Sequence, residues 1–144
     1  MKLYTIGFTK KSAEDFFSRL TNAGVKKVID IRLNNASQLA GFAKNKDIAF
    51  FLKTICDINY EHRLDLAPSK EILDKYKKSG NNWAVYEKEY TQLLESRTID
   101  ANTSPELFID SCLLCSEDKP NQCHRRILAE YLKNLWDDVE VIHL

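Results

Sequence analysis

Apolar residues in this chain fall in short bursts, and amphipathic stretches of helical length lie between them. Leu3-Tyr4-Thr5-Ile6-Gly7 predicts a strand that ends at a glycine. Ser12 then offers a cap for a helix with apolar positions Ala13, Phe16, Phe17 and Leu20, and Gly24 offers its stop. Residues 25–31 predict a second strand, with Val28, Ile29 and Ile31 as its β-branched content. Residues 34–41 are polar and predict a loop. Ile48, Phe51, Leu52 and Ile55 then recur at i, i+3, i+4 and i+7, the spacing of one helix face. Residues 58–62 predict a third strand.

From Arg63 to Pro105 the pattern changes. Pro68-Ser69 opens a helix through Tyr76, Gly80-Asn81-Asn82 breaks it, and residues 83–97 predict a longer helix with Tyr86, Tyr90, Leu93 and Leu94 on one side. Residues 98–105 predict a linker. Residues 107–114 predict a buried strand, 123–136 the last helix and 139–143 the last strand. Strands alternating with helices predict one α/β domain over residues 1–144, a mainly parallel sheet of about five strands with helices on both faces. The helical insertion at 63–97, before the fourth strand, is longer than a crossover needs and predicts a lid or rim.

Composition narrows the partners. Hydrophobic residues make up 44% and charged residues 29% of 144 residues, as in an ordinary globular chain. Lys plus Arg and Asp plus Glu number 21 each, so no global field draws the chain to nucleic acid or to an anionic membrane. No signal peptide and no apolar run of membrane-spanning length is found, which predicts a cytoplasmic protein with Cys56, Cys112, Cys115 and Cys123 as reduced thiols.

The candidate chemistry gathers where the strands end, as ligands do in open α/β sheets. The last helix begins Cys123-His124-Arg125-Arg126, and two arginines in a first helical turn sit where free N–H groups already carry partial positive charge. An anion, or a buried carboxylate, would complete such an arrangement. Of six arginines, only Arg19 and Arg97 fall inside predicted helices. The expected anion site is therefore Arg32, Arg125 and Arg126 with Gly7, and Arg125 is expected to meet Asp30 and Glu117 in a shared polar pocket. Cys123, at a helix start beside His124 and two arginines, is the expected thiolate nucleophile, with Cys115 as a weaker candidate. His124 would shuttle a proton, and Glu117 or Asp30 would act as a base or orient an arginine.

Plainer roles stand beside these. Asp30 could pair with Arg32 or anchor Arg125, Glu117 could satisfy backbone or arginine donors, and Gly7 could serve a tight turn. His62 and His143 read as residues satisfied by their neighbours. Cys112, Cys115, Cys123 and His124 superficially resemble a zinc set, but strand alternation turns Cys112 and Cys115 to opposite faces, so neither a metal nor another cofactor is expected. A tyrosine-phosphatase loop does not fit either, because nine residues rather than five separate Cys115 from Arg125.

Tyr4-Thr5-Ile6-Gly7, Asp30-Ile31-Arg32, Cys115-x-Glu117 and Cys123-His124-Arg125-Arg126, taken in this order and spacing, resemble the domain of unknown function 488 family along essentially the whole chain. The resemblance implies an α/β fold with its functional site at the Cys-His-Arg segment, and no assigned activity. Many members carry a proline- and arginine-rich stretch after Asp-x-Arg, whereas this chain has Leu33-Asn34-Asn35-Ala36-Ser37-Gln38-Leu39-Ala40-Gly41-Phe42. The leading expectation is an enzyme acting on a phosphorylated small molecule or nucleic-acid-derived substrate. The alternatives are a non-catalytic nucleotide or nucleic-acid-binding module, stacking bases on Trp83, Tyr86 and Tyr90, and a cysteine-based redox or sulfur-transfer protein. Plain core packing is the favoured role for those three aromatics.

Overall fold

The computed structural model describes residues 1–36 and 40–144, so Ser37–Leu39, in the middle of the expected 34–41 loop, lie outside it. Five strands form: β1 (Lys2–Gly7), β2 (Lys27–Asp30), β3 (Asn59–His62), β4 (Ser111–Cys115) and β5 (Glu140–His143). They make one parallel sheet in the order β3-β2-β4-β1-β5. The helices are α1 (Ala13–Ala23), α2 (Asn45–Cys56), α3 (Lys70–Lys78), α4 (Trp83–Ser96), the short α5 (Ile99–Asn102) and α6 (His124–Leu135). Among the described residues no helix is long and apolar enough to cross a membrane.

Strand alternation sorts the core into two layers. Leu3, Ile29, Ile31 and Leu113 pack with α3, α4, α5 and α6 on one face. Tyr4, Ile6, Val28, Cys112 and Leu114 pack with α1 and α2 on the other. Both faces are covered, so the central strands are apolar on both sides, as a parallel sheet requires. The caps follow the sequence signals. Ser12 accepts from the Asp15 N–H, Gly24 closes α1 at φ 76°, and Ser69 and Asn82 cap α3 and α4.

Two stretches differ from their expected form. Residues 98–105 are not a plain linker: they hold α5, and at Pro105 a 3₁₀ turn begins that runs to Phe108. Ser104 accepts from the Glu106 N–H and Pro105 sits at the start of the turn, so local capping outweighs the apolar pattern there. The fourth strand consequently begins at Ser111 rather than at 107, after Asp110 reverses the chain at φ 51°. Because every strand runs the same way, Gly7 lies opposite Cys115, and Asp30 lies opposite both Leu114 and His62. The polar residues that follow the strands therefore share one edge of the sheet.

Candidate functional site

From Cys115 the chain leaves the sheet edge as a polar loop and returns at Cys123, the residue that caps α6. The β1–α1 connection holds this loop on one side: the Thr9 N–H and hydroxyl both donate to the Ser116 carbonyl (3.1 and 2.7 Å), and Lys11 Nζ pairs with Asp118 at 2.8 Å. Arg125 holds it from below. Its guanidinium is fully buried and donates through Nη1 to the Glu117 carbonyl and through Nη2 to the Asp118 carbonyl at 3.0 Å. Its Nε lies 3.4 Å from Thr5 Oγ1, and the Thr5 hydroxyl in turn hydrogen-bonds with His143 Nδ1 at 2.6 Å. Burial and then the charge of Arg125 push the His143 pKa below its ordinary value.

This arrangement corrects the expected shared carboxylate pocket. Among the described residues Arg125 pairs with no carboxylate; it takes main-chain carbonyls. Each of its three nitrogens bonds to the protein, and the side chain is fully buried. Gly7 belongs to the same packing. A β-carbon there would lie 1.6 Å from the Glu117 carbonyl oxygen and 2.9 Å from Arg125 Nη1. The glycine is the gap through which loop and strand approach. Arg126 is also engaged, with Glu130 at 2.9 Å, Glu87 at 3.3 Å and the Trp83 ring at 5.9 Å from its guanidinium carbon.

Asp30 and Arg32 pair, as the plainer reading of their shared strand parity had it. Arg32 Nε and Nη2 reach the two Asp30 oxygens at 2.9 and 2.7 Å, the Arg32 N–H donates to Asp30 at 3.1 Å, and the Tyr60 hydroxyl donates at 2.6 Å. With both oxygens engaged and no exposure, Asp30 is no general base but the anchor of Arg32. Burial opposes the Arg32 charge, and the Asp30 bond and charge outweigh it, so the Arg32 pKa is raised. Tyr60, buried against the Asp30 carboxylate, is pushed up too. Arg32 also donates to the Ala43 carbonyl at 2.8 Å, while its Nη1 is buried with no partner among the described residues.

Cys115, the last residue of β4, meets His124, the first of α6. Cys115 Sγ lies 3.4 Å from His124 Nδ1, and His124 Nε2 lies 2.9 Å from the Ile31 carbonyl. A carbonyl only accepts, so Nε2 carries the proton and Nδ1 faces the sulfur. Burial works against a Cys115 thiolate, yet the Cys123 thiol, the Ser116 and Glu117 N–H groups and the Arg125 charge hold its pKa below the ordinary thiol value. Cys123, desolvated and next to that sulfur, is pushed well above it, and Cys112 is pushed up by burial in the other core layer. Of these two cysteines, Cys115 has the lowered pKa and Cys123 the raised one. Local reasoning from the helix start favoured Cys123; the turn donors that serve Cys115 could be found only with the loop in place.

Cys115, Cys123 and His124 offer ligand atoms that all lie within 4.8 Å of one another, a soft donor set of a kind that can hold a metal ion. Cys112, the fourth member of the superficial zinc pattern, takes no part. The pair opens on a cleft of about 590 Å³ walled by α3, the start of α4 and residues 32–34, with Lys70, Lys77, Asp74 and Glu117 at its sides. The Glu117 side chain is exposed there, so its carbonyl shapes the loop while its carboxylate is left to the cleft. Of the expected lid or rim, the helical insertion forms the rim, as a side wall of the cleft. Trp83 stacks on Tyr86 (5.0 Å, 18°), and buried Tyr90 donates to the Leu66 carbonyl. Tyr86 and Tyr90 are core, as favoured over base stacking.

A parallel α/β sheet with an oriented thiol–imidazole pair at its C-terminal edge defines the class of molecule. The chain belongs to the family described as Domain of unknown function DUF488, whose model matches residues 12–132. That span contains Asp30, Arg32, Cys115 and Cys123-His124-Arg125-Arg126 and begins after Gly7. Neither a curated protein nor a solved structure matches the chain.

Proposed function

We propose that this protein is a thiol-dependent enzyme in which Cys115 is the nucleophile and His124 its proton partner. The observation that carries the reading is the Cys115–His124 contact of 3.4 Å with the far ring nitrogen fixed on Ile31. Nucleophile, base and a third group orienting the base are the parts that covalent catalysis uses. Arg32, lining the cleft with one unpartnered donor, is the group that would meet an anionic part of the substrate, a phosphoryl or carboxylate group. The reading thus keeps an anionic substrate but rests the chemistry on Cys115 rather than on the arginines of α6. A cytoplasmic, reducing setting suits a free thiolate and belongs to the same proposal.

Iodoacetamide tests it, because only a thiolate is alkylated quickly. At pH 6 Cys115 is expected to react first, with Cys56, Cys112 and Cys123 following at least tenfold more slowly, as read by peptide mass mapping. His124→Ala is expected to move the apparent pKa of Cys115 upward by about one unit, a roughly tenfold slower reaction at pH 6. Millimolar phosphate should protect Cys115. Four cysteines that react only after denaturation would overturn the assignment.

A further inference from the structure

Cys123 is a thiol of the cleft that the proposed mechanism leaves unused. It lines the same cleft as Cys115, and its sulfur lies within 4.8 Å of both the Cys115 sulfur and a His124 ring nitrogen. The two cysteines stand on unlike supports. Cys115 ends a central strand, flanked by β1 and β2, whereas Cys123 terminates the loop that carries Glu117, Lys119, Asn121 and Gln122 on its exposed side. A disulfide has a sulfur–sulfur bond of about 2.0 Å, so closure asks the Cys123 sulfur to travel less than about 3 Å.

We infer that Cys123 is a second reacting thiol, which resolves a sulfur adduct on Cys115 by closing a Cys115–Cys123 disulfide. The inference rests on Cys115 as nucleophile and extends that reading to small organic disulfides as substrates. In the first step the Cys115 thiolate attacks one sulfur of R–S–S–R. A Cys115–S–S–R bond forms, the R–S–S–R bond breaks, and the leaving thiolate takes the proton from His124 Nδ1. In the second step the Cys123 thiol gives its proton to His124 as its sulfur attacks the Cys115 sulfur. The second thiolate leaves and takes that proton. Two electrons pass from the cysteine pair to the substrate, which departs as two thiols, and an external thiol reverses the sequence.

Oxidised glutathione is a probe that carries carboxylates for Arg32. The native protein, treated with it and mapped by non-reducing peptide mass spectrometry, is expected to end as a Cys115–Cys123 disulfide without bound glutathione. Cys123→Ser is expected to stop with one glutathione on Cys115, and Cys115→Ser to acquire none at Cys123 at a comparable rate. A persistent glutathione adduct on Cys115 in the unaltered protein would overturn the role of Cys123 and leave Cys115 as nucleophile. No disulfide in the native protein together with no adduct on Cys115 in Cys123→Ser would overturn both readings. A metal ion found in the purified protein by elemental analysis, released together with the appearance of two titratable thiols, would overturn the disulfide in favour of a Cys115–Cys123–His124 metal centre.

Discussion

Gly7→Ala is expected to destabilise the protein by about 3 kcal/mol or more, roughly 10 °C in melting temperature, and to abolish the fast alkylation of Cys115. The new methyl group would fall 1.6 Å from the Glu117 carbonyl oxygen and 2.5 Å from the Glu117 carbonyl carbon. These are main-chain atoms, so no rotamer change relieves the clash. Either β1 or the 115–123 loop has to move. The strand is paired on both sides, by β4 and β5, whereas the loop is tethered at a few points. The loop is what yields, taking with it the Ser116 and Glu117 N–H groups that favour the Cys115 thiolate. Gly24→Ala is the control: nothing lies within 4 Å of its β-carbon, so it feels only the cost of a positive φ at a helix end. Thermal denaturation of both variants, with Cys115 alkylation at pH 6, checks the pair. A Gly7→Ala protein that melts and reacts like the parent would show that the close approach is not needed.

How far the sequence carried is clearest from single elements. The alternation of strands and helices was legible because the apolar spacing agreed with a glycine stop at β1 and α1 and with Ser or Asn caps at α1, α3 and α4. Residues 105–108 were misread because an apolar pair, Leu107-Phe108, looks the same in a strand as in a 3₁₀ turn. Only the Ser104-Pro105 start separates the two. The Asp30–Arg32 pair was legible from parity, since i and i+2 side chains on an extended chain share a side.

The site was legible as a place and not as a set of roles. The motif residues do gather at one edge, yet what each does depends on where the loop runs. Glu117 contributes a carbonyl to Arg125, and every residue type carries that group, so nothing in its side chain announces it. Both arginines looked available because a helix start repels them, but Arg125 is compensated by carbonyl oxygens of a loop seven and eight residues away, and Arg126 by the carboxylates of Glu87 and Glu130. The lowered pKa of Cys115 was not legible for the same reason. A helix N-terminus is visible in sequence, whereas two N–H groups of the turn after β4 are not.

Arg125→Ala is expected to cost about 3–5 kcal/mol, and Arg126→Ala no more than about 1 kcal/mol. Arg125 is fully buried and bridges three segments: β1 through Thr5, the loop through the Glu117 and Asp118 carbonyls, and α6, which carries it. Its removal opens a cavity the size of a guanidinium and strips those carbonyls of a charged donor. Arg126 sits at the surface between Glu87 and Glu130, where solvent screens the pairs and their loss is small. A second effect separates a structural Arg125 from one that also serves the thiol. The Arg125 charge favours the Cys115 thiolate, so Arg125→Lys, which keeps the charge without the fork, should retain more alkylation at pH 6 than Arg125→Met. Arg125→Met keeps most of the volume, so a comparison of the two at matched melting temperature isolates charge from packing. Equal reactivity of the Lys and Met variants would show that Arg125 builds the loop and does nothing further for Cys115. Equal melting of the Arg125→Ala and Arg126→Ala proteins would remove the buried fork from its place in the fold.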